Sequence, residues 1–222
     1  MLFGLACEGV TDQVVLQNIL CGYFENPDLD EKITYLQPTF DETDQKQGEG
    51  GWRMLLKYLA SSYFRTAVLN TEFIVLQIDS DISEELLVNS TDNQGNEIAI
   101  EDLIQTISDK LIGSINQGES EFYTTYANKI IFAICVHSLE CWLVAHYAEQ
   151  SAIHNCFDVL KTVNKNTIRV AKKPKNYNQL STPFLIRENI NAVANKDPSF
   201  RIFIQSLEQI EPMITALNAI AR

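Results

Sequence analysis

The stretch Phe73-Ile74-Val75-Leu76-Gln77-Ile78-Asp79-Ser80-Asp81 decides how this chain is read. Five of its first six residues are apolar, several of them β-branched. Such a run reads as a strand buried on both faces, the kind found inside a parallel sheet. It ends abruptly in Asp79 and Asp81. Side chains two apart on a strand point the same way. This spacing therefore puts two carboxylates side by side at the strand's carboxyl end, where open α/β sheets bind ligands. Like charges so close repel unless a cation or a shared proton intervenes. A hard divalent cation such as Mg²⁺, which takes oxygen ligands, is the natural partner. The plainer alternative is a strand running into an acidic surface turn.

Upstream, Leu2–Cys7 is a short apolar run suited to a first buried strand, ended by Glu8-Gly9. Gly9 allows a sharp turn and leaves Glu8 facing the mouth. Thr11 is expected to cap a helix, with Asp12 in its first turn. The apolar residues Val14, Val15, Leu16, Ile19, Leu20 and Tyr23 then follow a helical period. Asn26–Asp30 is expected as a polar loop and Ile33–Leu36 as a second strand. Pro38–Gly51 is acidic and rich in Gln and Gly, a loop near the presumed mouth. Trp52–Leu69 reads as one helix leading into the central strand.

Downstream, Ser83–Gln117 is an excursion. A turn-rich segment, Asn89–Gly95, precedes a helix expected over Ile100–Ile115. Its length suits the right-handed crossover that parallel strands need. Lys129–Val136 is the fourth strand. His137 and Ser138 follow, then a helix from Leu139 with Ser138 as cap and Glu140 in its first turn. Glu140 thus also falls near the carboxyl ends of the strands, although first-turn Glu is common simply because it compensates the helix dipole. His137 reads as a structural histidine.

Beyond Ser151 the pattern is helical: Ile153–Val163, a helix from Pro183 to Ala194, one capped by Asp197-Pro198, and a last one opened by Pro212. The expected organisation is an α/β domain over 1–150 with a helical extension, 151–222, packed on it. The expected fold is a doubly wound, mainly parallel four-stranded sheet of order 2-1-3-4. In that order Glu8 faces Asp79 and Asp81 across the switch point, with Asp12 and Glu140 nearby. A pocket of carboxylates drawn from distant parts of the sequence suits one or two Mg²⁺ or Mn²⁺ ions.

Composition narrows the classes. The chain has 222 residues, 45% of them hydrophobic, and no apolar run long enough to span a bilayer. The opening residues have no basic region and meet a charge early, unlike a signal peptide. Five cysteines, none in a Cys-x-x-Cys, read as reduced core residues of a cytoplasmic protein. The three histidines lack zinc-ligand spacing with them. A net charge of −12 argues against non-specific coating of nucleic acid. Between Asp158 and Glu188, however, there is no acidic residue, and seven of the 17 basic residues lie there. Lys165, Arg169, Lys172, Lys173 and Lys175 are the candidates for a phosphate backbone; a solvated basic loop and helix is the alternative.

Three motifs carry a resemblance. Ala6-Cys7-Glu8-Gly9-Val10-Thr11-Asp12 before a hydrophobic helix resembles the Glu-Gly-x-Thr-Asp motif of the TOPRIM fold, and Asp79-Ser80-Asp81 is similar to its Asp-x-Asp motif. His137-Ser138-Leu139-Glu140-Cys141-Trp142-Leu143 resembles the corresponding helix of small TOPRIM-like proteins found beside ATPases. Those proteins are relatives of the nuclease half of overcoming-lysogenization-defect proteins. The segment Asp197-Pro198-Ser199-Phe200 is similar to their C-terminal portion. The resemblance covers roughly residues 1–150 by architecture and three short motifs by identity.

It implies Mg²⁺-dependent cleavage of DNA or of RNA such as tRNA, in defence against phage or mobile DNA. Glu8 would be metal ligand or general base, Asp79 and Asp81 metal ligands, and Asp12 and Glu140 auxiliary ligands. The implied partners are nucleic acid, an ATPase and a further copy of the chain, with no membrane. A non-catalytic subunit that acts by assembly is the competing reading. A phosphatase with Asp79 as nucleophile is weaker, because that chemistry usually places its Asp-x-Asp on the first strand, where this chain has Glu8.

Overall fold

The computed structural model describes residues 2–39, 50–82, 98–150, 154–164 and 167–220. Most of the Pro38–Gly51 loop, all of Asn89–Gly95 and Lys165 lie outside them. The chain opens with β1 (Phe3–Ala6), α1 (Val10–Tyr23), a 3-10 turn (Pro27–Lys32) and β2 (Ile33–Gln37). Helices α2 (Trp52–Leu59) and α3 (Ser62–Asn70) lead to β3 (Phe73–Asp79). Helices α4 (Ile100–Gly118) and α5 (Phe122–Tyr126) lead to β4 (Ile130–Cys135). The four strands form one sheet in the order β2-β1-β3-β4, and every neighbouring pair is parallel. This is the expected 2-1-3-4 order, with β1 and β3 side by side at the switch point.

Alternation along the strands sorts the core into two layers. Phe3, Leu5, Phe73, Val75, Ile131 and Ala133 face α1 and the helices after β4. Ala6, Ile74, Leu76, Ile78, Ile130 and Ile134 face α2 to α5. Each fully buried Leu, Ile or Phe side chain contributes about 1.5–3 kcal/mol relative to exposure. The fully buried β1 and much of β3 are accordingly the inner strands; the half-buried β2 lies at one edge and the apolar β4, covered by helices, at the other. Gln77 breaks the run in β3 and is fully buried.

The remaining helices are α6 (Leu139–Tyr147), α7 (Cys156–Val163), α8 (Pro174–Ser181), α9 (Arg187–Ala194) and α10 (Pro198–Ile220), with a 3-10 turn at Thr182–Leu185. They share one apolar cluster with β1, β3 and α1 through Tyr177, Leu180, Phe184, Phe200 and Phe203. The Asn18 amide on α1 donates to Asn178 Oδ1 at 3.0 Å and to Ser181 Oγ at 2.7 Å on α8. At Gly22 a Cβ would fall 1.9 Å from the Phe184 carbonyl oxygen, so only glycine lets α1 approach this segment. Asp197 Oδ1 accepts from the Phe200 amide at 2.9 Å and caps α10, as expected. Ser199 Oγ donates to the same oxygen and accepts from the Trp142 indole at 2.8 Å, fastening α10 to α6.

Several local expectations are corrected. The single helix over Trp52–Leu69 is two, broken at Ala60-Ser61, because Ser61 Oγ accepts from the Phe64 amide and restarts it. Asn26–Asp30 is not simply a loop, since Pro27–Lys32 forms the 3-10 turn. Pro183 sits in a 3-10 turn and α9 begins only at Arg187. Pro212 lies inside α10 rather than opening a new helix. Its missing N–H costs one helical bond, and the buried Ile210 and Ile214 on either side hold the helix to the core. Thr11 is not the cap of α1. That position is Gly9, and Thr11 Oγ1 donates instead to Asp12 Oδ1 at 3.3 Å.

The cysteines divide. Cys141 and Cys156 form a disulfide, with Cα atoms 5.0 Å apart, which corrects the reading of all five as reduced. Packing α7 on α6 brings together two thiols whose sequence spacing carried no such signal. Cys7, Cys21 and Cys135 are free and buried. Among the described residues, no helix is long and apolar enough to cross a membrane.

Candidate active site

The carboxyl ends of β1, β3 and β4 point to one side of the sheet, and five acidic residues gather there. Glu8 follows β1. Its Oε2 accepts a hydrogen bond from the Asp79 backbone amide at 3.2 Å, so it crosses the switch point as expected. Its carbonyl accepts from the Gly51 amide at 2.7 Å, at the start of α2. Burial pushes the Glu8 carboxyl up. The Asp79 and Trp52 amides pull it back, Asp81 raises it further and Lys172 lowers it.

Asp79 ends β3. Its Oδ1 accepts from the Gln77 amide at 2.9 Å and from the Leu139 amide at 3.0 Å. The second bond satisfies an open N–H at the start of α6, so Asp79 does the capping expected of Ser138, which makes no side-chain cap. Burial, then Asp12, Glu8, Glu140 and Asp81, hold the Asp79 carboxyl well above the ordinary aspartate range. Strand alternation pairs Asp79 with Gln77, not with Asp81. Asp81 belongs to a 3-10 turn, Ser80–Ile82, and it is this turn that brings it to the same cavity.

Asp12 is buried on the first turn of α1. Burial, Glu140 and Glu8 raise its carboxyl from 3.8 to about 7, against a lowering by the Gly9 amide and Lys172. Gly9 has extended backbone, φ −135°, so freedom to turn is not why it is glycine. A Cβ there would come within 2.9 Å of Asp12 Oδ2.

Glu140 is buried on α6 and is held from the C-terminal helices. The Tyr177 hydroxyl donates to Glu140 Oε1, and Lys172 Nζ lies 3.8 Å from the same oxygen. Burial, then Glu140, raise the Tyr177 phenol, so it remains a donor. Beneath the carboxylates, burial pushes the Cys7 and Cys135 thiols well up, and Asp79 adds to both. Neutral thiols of this kind are inert.

A cavity of about 370 Å³ opens beside this cluster. Asp79, Asp81 and Glu140 line it together with His137, His154, Phe157 and Lys172. Of the expected phosphate-binding residues, Lys172 is at the cavity. Arg169, Lys173 and Lys175 are exposed on the segment around it, and Lys165 is outside the described residues.

Three residues were not anticipated. Gln77 donates to Asp79 Oδ1 and accepts the Glu8 backbone amide at 3.2 Å, orienting both acids from within the sheet. Its signal in the sequence is a lone polar residue in an apolar strand. Tyr177 and His154 carried no comparable signal, because each reaches the site only through the packing of the C-terminal helices.

The donor chemistry suits a hard divalent cation: all the acids are oxygen ligands, and Lys172 is the basic group placed against them. Among the described residues, no three His, Cys, Asp or Glu side chains already form a group that could hold a metal ion. No protein-family model matches the chain, and no curated protein and no solved structure is significantly similar to it.

Proposed function

We propose that this chain is a metal-dependent nuclease of TOPRIM-like type, hydrolysing phosphodiester bonds of DNA or RNA. One observation carries the reading: acids that follow β1, open α1, end β3 and open α6 converge at the switch point of a parallel sheet, with Asp79 held above its ordinary range by burial and then by four neighbouring carboxylates. Negative charge so concentrated is relieved by a cation.

Glu8, Asp79 and Asp81 would hold Mg²⁺ or Mn²⁺, with Asp12 and Glu140 at its edge. When bound, the cation supplies charge to polarise phosphoryl oxygens and to lower the pKa of an attacking water. Gln77 keeps Asp79 and the Glu8 backbone in register. Lys172 meets phosphate charge on the open side, and the exposed Arg169, Lys173 and Lys175 extend that basic surface. Glu8 is the candidate general base. A role in defence against phage or mobile DNA, with an ATPase partner delivering substrate, follows from the motif resemblance.

The competing reading is a non-catalytic subunit that acts by assembly with a partner. The test is cleavage of plasmid DNA, single-stranded DNA and total tRNA with Mg²⁺, Mn²⁺ or EDTA, wild type against Asp79→Ala. Metal-dependent cutting lost in the variant is the expected result. No cutting, alone or with a co-purified partner, favours the subunit.

A further inference from the structure

Two residues that line the cavity hold an uncommon backbone conformation. His137 has φ +63° and Asn155 has φ +52°, both in the left-handed region, which is uncommon for non-glycine residues although Asn and His adopt it more readily than most. They are two of four such residues among those described, and both line this cavity. His137 is held there from both sides. Its amide donates to Ser80 Oγ at 2.7 Å, and its carbonyl accepts from the Asp81 amide at 3.0 Å. Strained backbone persists only where its surroundings over-determine it, and it clusters at functional sites. The result here is a pair of imidazoles: the rings of His137 and His154 sit edge to face, 4.2 Å between centroids.

Lys172 links this pair's surroundings to the acids. Its ammonium is 3.8 Å from Glu140 Oε1 and 5.6 Å from the Phe157 ring centroid. Acids, an ammonium and aromatic rings thus line one cavity. Together they match a cation, a phosphate and a base. At about 370 Å³ the cavity is near the lower end of small-ligand pockets, which run roughly 300–1,000 Å³. It suits one nucleotide and not a duplex, whose major groove alone is about 12 Å wide. Imidazole rings stack on unpaired bases, and such stacking tolerates any base.

We propose that His137 and His154 form a base-stacking subsite beside the acids, so that the site takes an unpaired nucleotide of a single-stranded nucleic acid with its phosphate at Lys172. The proposal deepens the nuclease reading and rests on it for the identity of the polymer.

His137→Gly is the sharpest probe. Glycine adopts φ +63° without strain, so the ring is removed while the backbone is kept. Fluorescence anisotropy with labelled single-stranded DNA, single-stranded RNA and a blunt duplex, in Ca²⁺, measures affinity without depending on cleavage. Wild type is expected to bind a single strand more tightly than the duplex. His137→Gly and His154→Ala should each weaken single-strand binding on the order of ten-fold, and leave duplex binding and the melting temperature nearly unchanged. Equal affinity for strand and duplex, no binding to any strand, or a His137→Gly variant that binds like wild type overturns the subsite. Cleavage is scored separately. A chain that cuts strand and duplex alike, indifferent to His137→Gly, loses the subsite and keeps the nuclease. A chain that binds single strands through the imidazoles and cuts nothing keeps the subsite and loses the nuclease.

Discussion

The hydroxyl of Tyr177 donates a hydrogen bond to the carboxylate of Glu140, both side chains being buried. Tyr177 belongs to α8 and Glu140 to α6, so the helices after the sheet complete the acidic site from above. Tyr177→Phe keeps the ring and removes the donor. A buried acceptor left short of a partner costs about 1–3 kcal/mol, and Lys172, whose side chain is 70% exposed, offsets little of it. The expected loss of stability in urea unfolding is of that size. An unchanged midpoint would mean that Glu140 does not depend on this phenol.

Gln77 offers a second test. It binds Asp79 by its amide nitrogen and the Glu8 backbone by its oxygen. Gln77→Leu fills similar space in the core but releases both acids. Groups that orient metal ligands from behind typically contribute 10–100-fold to metal affinity (about 1.4–2.7 kcal/mol). Calorimetric titration with Mn²⁺ should show a loss of about that range while the fold is retained. Wild-type affinity in the variant would show that the acids hold their places without it.

What the sequence made legible, and what it hid, follows from range. The apolar runs of β3 and β4 announce strands buried on both faces, and the observed order is the one expected of a doubly wound sheet with its switch point between β1 and β3. Glu8 and Asp79 stand out because each directly follows an apolar run, and Asp81 because it lies two residues beyond Asp79. Asp81 reaches the site by a 3-10 turn rather than by strand alternation, a local detail that periodicity does not encode. Trp52–Leu69 hides its break because Ser61 is compatible with both a helix interior and a cap. Pro212 stays helical because tertiary packing overrides its local preference. Tyr177, His154 and the Cys141–Cys156 bond depend on contacts between segments far apart in sequence, and nothing in their neighbours signals them.

The acidity of the site sets a pH dependence. Asp12 is raised from 3.8 to about 7, first by burial and then by Glu140 and Glu8. Between those values the folded chain keeps a proton that the unfolded chain releases. Stability from this group is therefore full below the unfolded value and is lost as pH rises toward the folded one. The upward shifts of Glu8 and Asp79 act in the same sense. In EDTA the melting temperature should fall between about pH 4 and about pH 7, and Asp12→Asn should flatten that fall. Added Mg²⁺ should raise the melting temperature more at the upper end, where it competes with fewer protons. A slope identical in Asp12→Asn would remove Asp12 as its source.

The Cys141–Cys156 disulfide closes a loop of sequence separation 15 and joins the helix carrying Glu140 to the segment carrying His154. Cross-linking a loop of that length stabilises a fold by about 3 kcal/mol, chiefly by restricting the unfolded chain. Cys156→Ser should cost roughly that much in urea unfolding under oxidising conditions. Dithiothreitol should cost the wild type a similar amount and the variant almost nothing, because the free cysteines are buried and unpaired with one another. Alkylation of the denatured, unreduced chain should modify three of the five cysteines, leaving this pair protected. Five modified cysteines would show that the bond is not formed in the purified protein. The stabilisation of α6 against α7 would then rest on packing alone, and dithiothreitol would leave the unfolding midpoint where it was.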